Sequence, residues 1–457
     1  MIPRLFTIIG LLLAAALGSA QGKAPAPWTP NGADTVWVLV SAVLVLLMTP
    51  ALALFYGGLG RRKNVLNTMM MSFVALGVQT IIWLLIGYSF SFGHTDNGVV
   101  GGMAFLGGKN IAMDAPYIPA HTIPNGAFML FQMMFAIITP ALISGAVAER
   151  MKFSAYVAFI SLWSIIVYAP IACWVWNPDG WLFKRGALDF AGGTVVHLAS
   201  GVAALACVLA LGPRKVIRRE EAVHPHNIPL TLIGAGLLWV GWIGFNAGSA
   251  LSAGSLAITA FMATHIAAAA GMMAWLVVDS IRGTKPSSVG AASGLVAGLV
   301  GITPAAGFVD PMGALVIGLL TGAVCSLAIS LKTKLKYDDA LDVVGVHGVG
   351  GALGAILTGV FATAALAPSV LEKGRLAVVG EQLLAVAVVG AFSFVASFGI
   401  MKLVGVFIPL RATEAQEDLG LDEALHGEAA YPTEGMPTEA LVWTLDETSA
   451  LTGAATN

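Results

Sequence analysis

Apolar residues gather into eleven long runs, and most charged residues fall between the runs rather than inside them. The runs cover approximately residues 34–58, 68–92, 123–147, 154–176, 191–211, 229–248, 255–279, 289–303, 310–331, 343–366 and 380–408. About 20 consecutive apolar residues cross the roughly 30 Å hydrocarbon core of a bilayer as a helix. The pattern therefore predicts an all-α polytopic membrane protein with eleven transmembrane helices embedded in the lipid bilayer.

Residues 1–20 form a separate object. Arg4 supplies a short basic head, Leu5 to Leu17 an apolar stretch too short for a span, and Gly18-Ser19-Ala20 the small residues of a cleavage point. This arrangement predicts a signal peptide cut near Ala20. A transmembrane domain over 21–408 and a tail over 409–457 follow.

Loop charges orient the helices. One set of loops carries fourteen Lys or Arg, including Arg61, Arg62, Lys63, Arg214, Lys215 and Lys332, whereas the other set carries six. The positive-inside rule then gives an N-out/C-in topology, with an odd number of spans and the tail in the cytoplasm. The tail itself holds ten Asp or Glu against one base, Arg411. It is either a solvated acidic appendage or a docking surface for a cytosolic partner.

Composition adds the compartment. With 57% hydrophobic and 11% charged residues and a mean hydropathy of +0.85, the chain is too apolar for a soluble globular class. The inner (plasma) membrane of a cell is the expected location. Cys173, Cys207 and Cys325 lie in apolar runs without paired spacing, which indicates neither a disulfide framework nor a zinc site. Gly accounts for 54 of 457 residues, well above the usual share of about 7%. Repeats such as Gly294-x-x-x-Gly298 and Gly350-x-x-x-Gly354 predict close helix contacts.

Two fragments hint at a duplication. FYGG at 55–58 ends the first run and the similar FNAG at 245–248 ends the sixth. His197 and His347 likewise fall in the fifth and tenth runs, each behind an Asp, Asp189 and Asp342. A 5+5 inverted repeat plus a final helix would bring both histidines to one midplane site.

Ionisable groups at membrane depth are costly and mark pathways or cofactors. The His pair could ligate haem, relay protons or line a pore. Burial opposes charged imidazoles, so each ring offers one donor and one acceptor, suited to an uncharged hydrogen-bonding guest or a relayed proton. Toward the outside, Phe131, Phe135, Trp176 and Ser249 could form a cup for a cation that must shed water. Ring faces supply cation–π attraction of roughly 0.5–2 kcal/mol each, and a hydroxyl accepts a hydrogen bond. Interfacial placement explains Trp176 equally well, and core packing explains the Phe pair. Asp189 precedes a Gly-rich helix start, which suits a capping residue and support of a nearby cation alike.

The segments ALFYGGLGRRKNVLN, AFMLFQMMFAIITPALISGAVAERMKFSA, GALDFAGGTVVHLASG, PHNIPLTLIGAGLLWVGWIGFNAGSA and DVVGVHGVGGALG resemble the ammonium transporters of the Amt/Mep/Rh superfamily, in particular its bacterial Amt branch. The resemblance runs from about Gly32 to Tyr431. It implies a homotrimer with eleven spans and one pore per subunit, an outer ammonium site at Phe135, Trp176 and Ser249 with Phe131 beside it, and a gate of Phe135 with Phe245. It also implies pore histidines at His197 and His347, a pore-lining Trp242, and Asp189 as the buried support of the outer site. The tail segment EDLGLDEALHGEAAY resembles the Amt region that contacts neighbouring subunits and accompanies control by a cytosolic PII signal protein.

The function expected is recruitment of NH₄⁺, its deprotonation, and conduction of NH₃, with or without a relayed proton, past the two imidazoles. An Rh-type neutral gas channel and an ammonium sensor are the alternatives. No enzymatic activity, catalytic residue, metal, cofactor or nucleic-acid partner is expected.

Overall fold

The computed structural model describes residues 28–118 and 121–431. The expected signal peptide and the last 26 residues lie outside them. A helix stands at each of the eleven predicted positions. They are α1 Gly32–Leu59, α2 Arg62–Phe92, α3 Asn125–Val147, α4 at 153–176, α5 Gly193–Leu211, α6 Ile228–Gly248, α7 Ser255–Ile281, α8 Ser288–Ile302, α9 Pro311–Leu335, α10 Val344–Phe361 and α11 Arg375–Phe407. Ten are long and apolar enough to cross a membrane, while α8 has only 15 residues. Side chains cap several of the starts. Asn31 accepts from the backbone of Asp34 at 3.1 Å, Asn227 from Leu230 at 3.0 Å, and Ser287 from Gly290 at 2.9 Å.

Glycine decides which helices touch. A Cβ at Gly234 would lie 2.4 Å from the Phe55 nitrogen, and one at Gly244 would lie 2.6 Å from the Leu44 Cβ, so α1 and α6 pack nearly backbone to backbone. The pair α5 and α10 does the same reciprocally. A Cβ at Gly201 would lie 2.1 Å from the Gly348 nitrogen, and one at Gly351 would lie 2.7 Å from the Leu198 nitrogen. Each of these glycines sits four residues after one of the two histidines. One helical turn beyond each His, the facing backbone has room to approach, and the two imidazoles are drawn together. The Gly-x-x-x-Gly repeats are helix contacts as expected: a Cβ at Gly298 would meet the Ala267 carbonyl at 2.1 Å, and one at Gly354 the Gly301 carbonyl at 2.3 Å.

The helix pairs α1/α6 and α5/α10 match the duplication in sequence, and the structure corrects one of its details. The counterpart of Asp189 is Asp339 rather than Asp342. Asp189 accepts from the backbone nitrogens that open α5, and Asp339 accepts from Val344 at 2.7 Å at the start of α10. Each stands eight residues ahead of its histidine. Both helices open with a π-helical turn, Gly193–Leu198 and Val344–Val349, and each turn contains the His. Such turns recur at functional sites.

On the side of the basic loops, the helix ends are tied by buried ion pairs. Glu149, held at a positive φ of 67°, receives Arg61 at 2.7 Å and Arg214 at 2.8 Å. Arg214 forks onto Asp338 at 2.8 and 2.9 Å, and Arg150 donates to the Asp338 carbonyl at 2.6 Å. Burial alone would raise both carboxylates. The charges of Arg214 and Arg61 nevertheless hold Glu149 below its ordinary value, and Arg214 with Arg150 pulls Asp338 down to about 2. The first part of the acidic tail packs onto this layer. A short helix, α12 Glu414–Leu419, opens with a Thr413/Gln416 capping box, Asp422 accepts from the backbone of Leu66 and Asn67, and Arg411 pairs with Glu417 at 2.6 Å. As far as Tyr431 the tail is therefore a docked segment.

Candidate functional site

The expected site residues come from five helices and meet along one path. An open-mouthed cavity of about 930 Å³ is lined by Phe135 of α3, Trp176 at the end of α4, Asp189 ahead of α5, and Ser249 after α6. Phe131 does not line it. It is buried behind Phe135, edge-on at 5.0 Å between ring centroids. Trp176 stands perpendicular to Phe135 at 5.7 Å, and its indole nitrogen donates to the Asp189 carbonyl at 3.0 Å. The Asp189 carboxylate meanwhile accepts from the backbone of Gly192, Gly193, Thr194 and Val195 and from the Thr194 hydroxyl. One residue thus fixes the start of α5 through its side chain and the rim tryptophan through its backbone. Asp189 is a capping residue, and the same residue holds the rim tryptophan.

Ser249 donates its hydroxyl to the Phe245 carbonyl at 2.9 Å, which leaves the oxygen lone pairs for a guest. At the floor, Phe135 and Phe245 lie 4.3 Å apart, tilted by 38°. The vestibule has Phe135 in its wall and the next cavity inward has Phe245, so this ring pair divides them.

Below the rings, a narrow passage is lined by Leu52, Ile138, Leu142, Val296, Trp242, His197 and His347 among others. All are apolar except the Trp and the histidines. The two Nδ1 atoms lie 3.2 Å apart with the rings near parallel, 5.2 Å between centroids. One Nδ1 must donate and the other accept. Consequently one ring carries its remaining proton on Nε2 and the other presents a bare Nε2. The His197 Nε2 has no partner among the described residues. Trp242 stacks on His197 at 5.3 Å and 19°, and its own nitrogen is satisfied by the Thr303 hydroxyl at 2.9 Å. Thr303 is a positioning residue that the sequence did not single out, since a lone Thr after a short helix gives no signal.

The path continues. His347 also borders a narrow space walled by Tyr56, Ser293 and Asp342, and Asp342 in turn lines a wide opening among Arg214, Arg218, Lys332 and Lys336. Vestibule, ring pair, imidazole-lined passage and basic mouth follow one another through the helical bundle.

A multi-pass membrane transporter with a narrow passage through a single chain is the class that this fold and path define. The comparisons make the class specific. The profile of the Ammonium Transporter Family matches residues 36–431. The ammonium transporter of Bacillus subtilis (strain 168) is 49% identical over 402 residues, covering 87% of this chain and 98% of that protein. The crystal structure of Saccharomyces cerevisiae Mep2 superposes with a TM-score of 0.77 at 40% identity, covering 84% of this chain and 91% of that one. A structure described as a sensor Amt protein superposes with a TM-score of 0.80 at 30% identity, covering 86% and 98%. The chain belongs to the ammonium transporter family, and it is an ammonium transporter of the plasma membrane.

Proposed function

We propose that NH₄⁺ is recruited in the vestibule, held by Phe135, Trp176 and Ser249, and gives up its proton before the ring pair. NH₃ then passes Phe135 and Phe245 and is handed between the imidazoles of His197 and His347 toward the basic mouth. The observation that carries this reading is the 3.2 Å imidazole pair inside an otherwise apolar passage. One Nε2–H donor and one bare Nε2 match a neutral guest that both accepts and donates. A bare cation such as K⁺ finds no carboxylate in that passage to replace its hydration and cannot become neutral, so desolvation excludes it. The same imidazole contact is a route for the released proton.

The remaining parts of the reading are eleven crossings with an N-out/C-in orientation after removal of the signal peptide, a 5+5 inverted repeat, and a homotrimer with one pore per subunit. The chain divides into residues 1–20, 21–408 and 409–457. A cytosolic PII protein is proposed as the partner of the tail side. Identity to the B. subtilis transporter at 49% against 30% to the sensor structure favours transport over sensing as the primary role.

The test is ammonium pulses on proteoliposomes, read as current and as flux and compared with K⁺ pulses. Ammonium flux without K⁺ current is expected, and absence of ammonium flux in both readouts would overturn the proposal. A second measurement separates recruitment of the cation from passage of neutral gas. Trp176→Leu removes one ring face of the cup and should raise the apparent KM for ammonium about 2- to 30-fold, the equivalent of losing one cation–π contact. Uptake unchanged in Trp176→Leu and in Ser249→Ala would favour the neutral gas channel.

A further inference from the structure

His121 lies in the segment that enters α3 and lines the same vestibule as Phe135, Trp176 and Ser249. Its ring leans on Phe128 at 5.9 Å, its carbonyl accepts from the Trp28 indole at 3.2 Å, and its Nδ1 is buried without a hydrogen-bond partner among the described residues. The transport path leaves this imidazole unused. A titratable ring beside a cation-recruiting site has an electrical consequence.

We propose that His121 is a proton-operated specificity residue of the vestibule: neutral, it leaves the cup open to NH₄⁺, and protonated, it competes electrostatically with the incoming cation. This rests on the reading of Phe135, Trp176 and Ser249 as the site that receives ammonium. The surroundings support it element by element. On α3 the ring meets Phe128, which is uncharged. On the preceding loop the titratable neighbour in the vestibule is Tyr117, whose hydroxyl donates to the Phe92 carbonyl at 2.8 Å. The adjacent Thr122 donates to Asp34 of α1 at 2.5 Å, and Asp34 also accepts from the Ala253 nitrogen at 2.7 Å. The Asp189 carboxylate is turned to the start of α5 and saturated there. Asp179 is engaged by His94 at 2.7 Å. No carboxylate bonds to the His121 ring among the described residues, so its positive charge would act outward into the cavity.

Burial lowers the His121 pKa below the ordinary histidine value. The ring is therefore neutral at pH 7 and above and gains its proton only as the medium turns acidic. A separation of about 10 Å, taken for illustration within one vestibule, would weaken binding of a like charge about two- to fifteen-fold between the dielectric limits of water and a protein surface.

The experiment is uptake of labelled methylammonium, competed by ammonium, in cells that hold this transporter alone, at pH 7.5 and pH 5. In the native protein the apparent ammonium KM should rise on acidification, by up to that factor as the ring gains its proton. His121→Gln should keep the pH 7.5 value at both, and His121→Lys, a permanent charge, should show the raised KM at both. A rise of equal size in His121→Gln, no rise in the native protein, or an unaltered KM in His121→Lys would each overturn the proposal. Absence of saturable native uptake at either pH would instead overturn the underlying reading of the cup.

Discussion

Removing both imidazoles, His197→Ala with His347→Ala, should lower ammonium flux about 10- to 100-fold and abolish any proton current that accompanies it, while the protein still folds. NH₃ in an apolar passage loses its only donor and acceptor, and an unmade hydrogen bond in a dry site costs about 1–3 kcal/mol. The 3.2 Å contact between the rings is also, among the described residues, the one polar link across the narrow cavity. The single variants distinguish the two cargoes. If the pair relays protons, either replacement cuts the current, whereas a pair that serves NH₃ alone leaves flux partly intact in each. Flux and current both unaltered in the double variant would remove the imidazoles from the mechanism. Folding is protected because helix contact in this region comes from Gly201 and Gly351 rather than from the rings.

Arg214→Met should cost about 3–5 kcal/mol of stability, because it leaves Glu149 and Asp338 as buried carboxylates without their main counter-charge. Thermal denaturation in detergent should show a clear fall in Tm. Combining it with Glu149→Gln and Asp338→Asn should recover much of the loss, because the unpaired charges go with the partner. The pH dependence has a definite sign. Both carboxylates have folded pKa values below their unfolded ones, so their contribution is complete above about pH 4 to 5 and is lost as pH falls toward about 2. A native protein whose stability does not fall over that acid range, or an Arg214→Met protein as stable as the native one, would show that the cluster is not what ties these loops together.

Most of the fold was legible because a bilayer constrains a chain so severely. All eleven helices fall where apolar runs predicted them, with ends shifted by a few residues, as at α10, which stops at Phe361 rather than at 366. Helix pairing was less legible. The sequence marked Gly-x-x-x-Gly repeats as contacts but could not say which helix faces which. The duplication was visible in FYGG and FNAG, yet the wrong Asp was matched to Asp189. The equal eight-residue spacing of Asp189 to His197 and Asp339 to His347 carried that information, and Asp342 hid it by lying closer to its His. Instead, Asp342 pairs with Lys332 and lines the path beyond His347.

By itself, then, the sequence determined that this protein spans a membrane as a helical bundle, which ionisable groups it carries into the apolar interior, and, through its motifs, the family. These are properties of composition and period, and they survive without any knowledge of contacts. Only the tertiary structure decided that residues from α3, α4, α5, α6 and α10 line one path, that Phe131 stands behind Phe135 instead of on the surface of the cup, that Thr303 pins Trp242, and that His121 shares the vestibule. Those facts depend on how closely backbones approach at Gly201, Gly234, Gly244 and Gly351, distances set by packing between segments as far apart along the chain as Leu44 and Gly244. No local pattern records them.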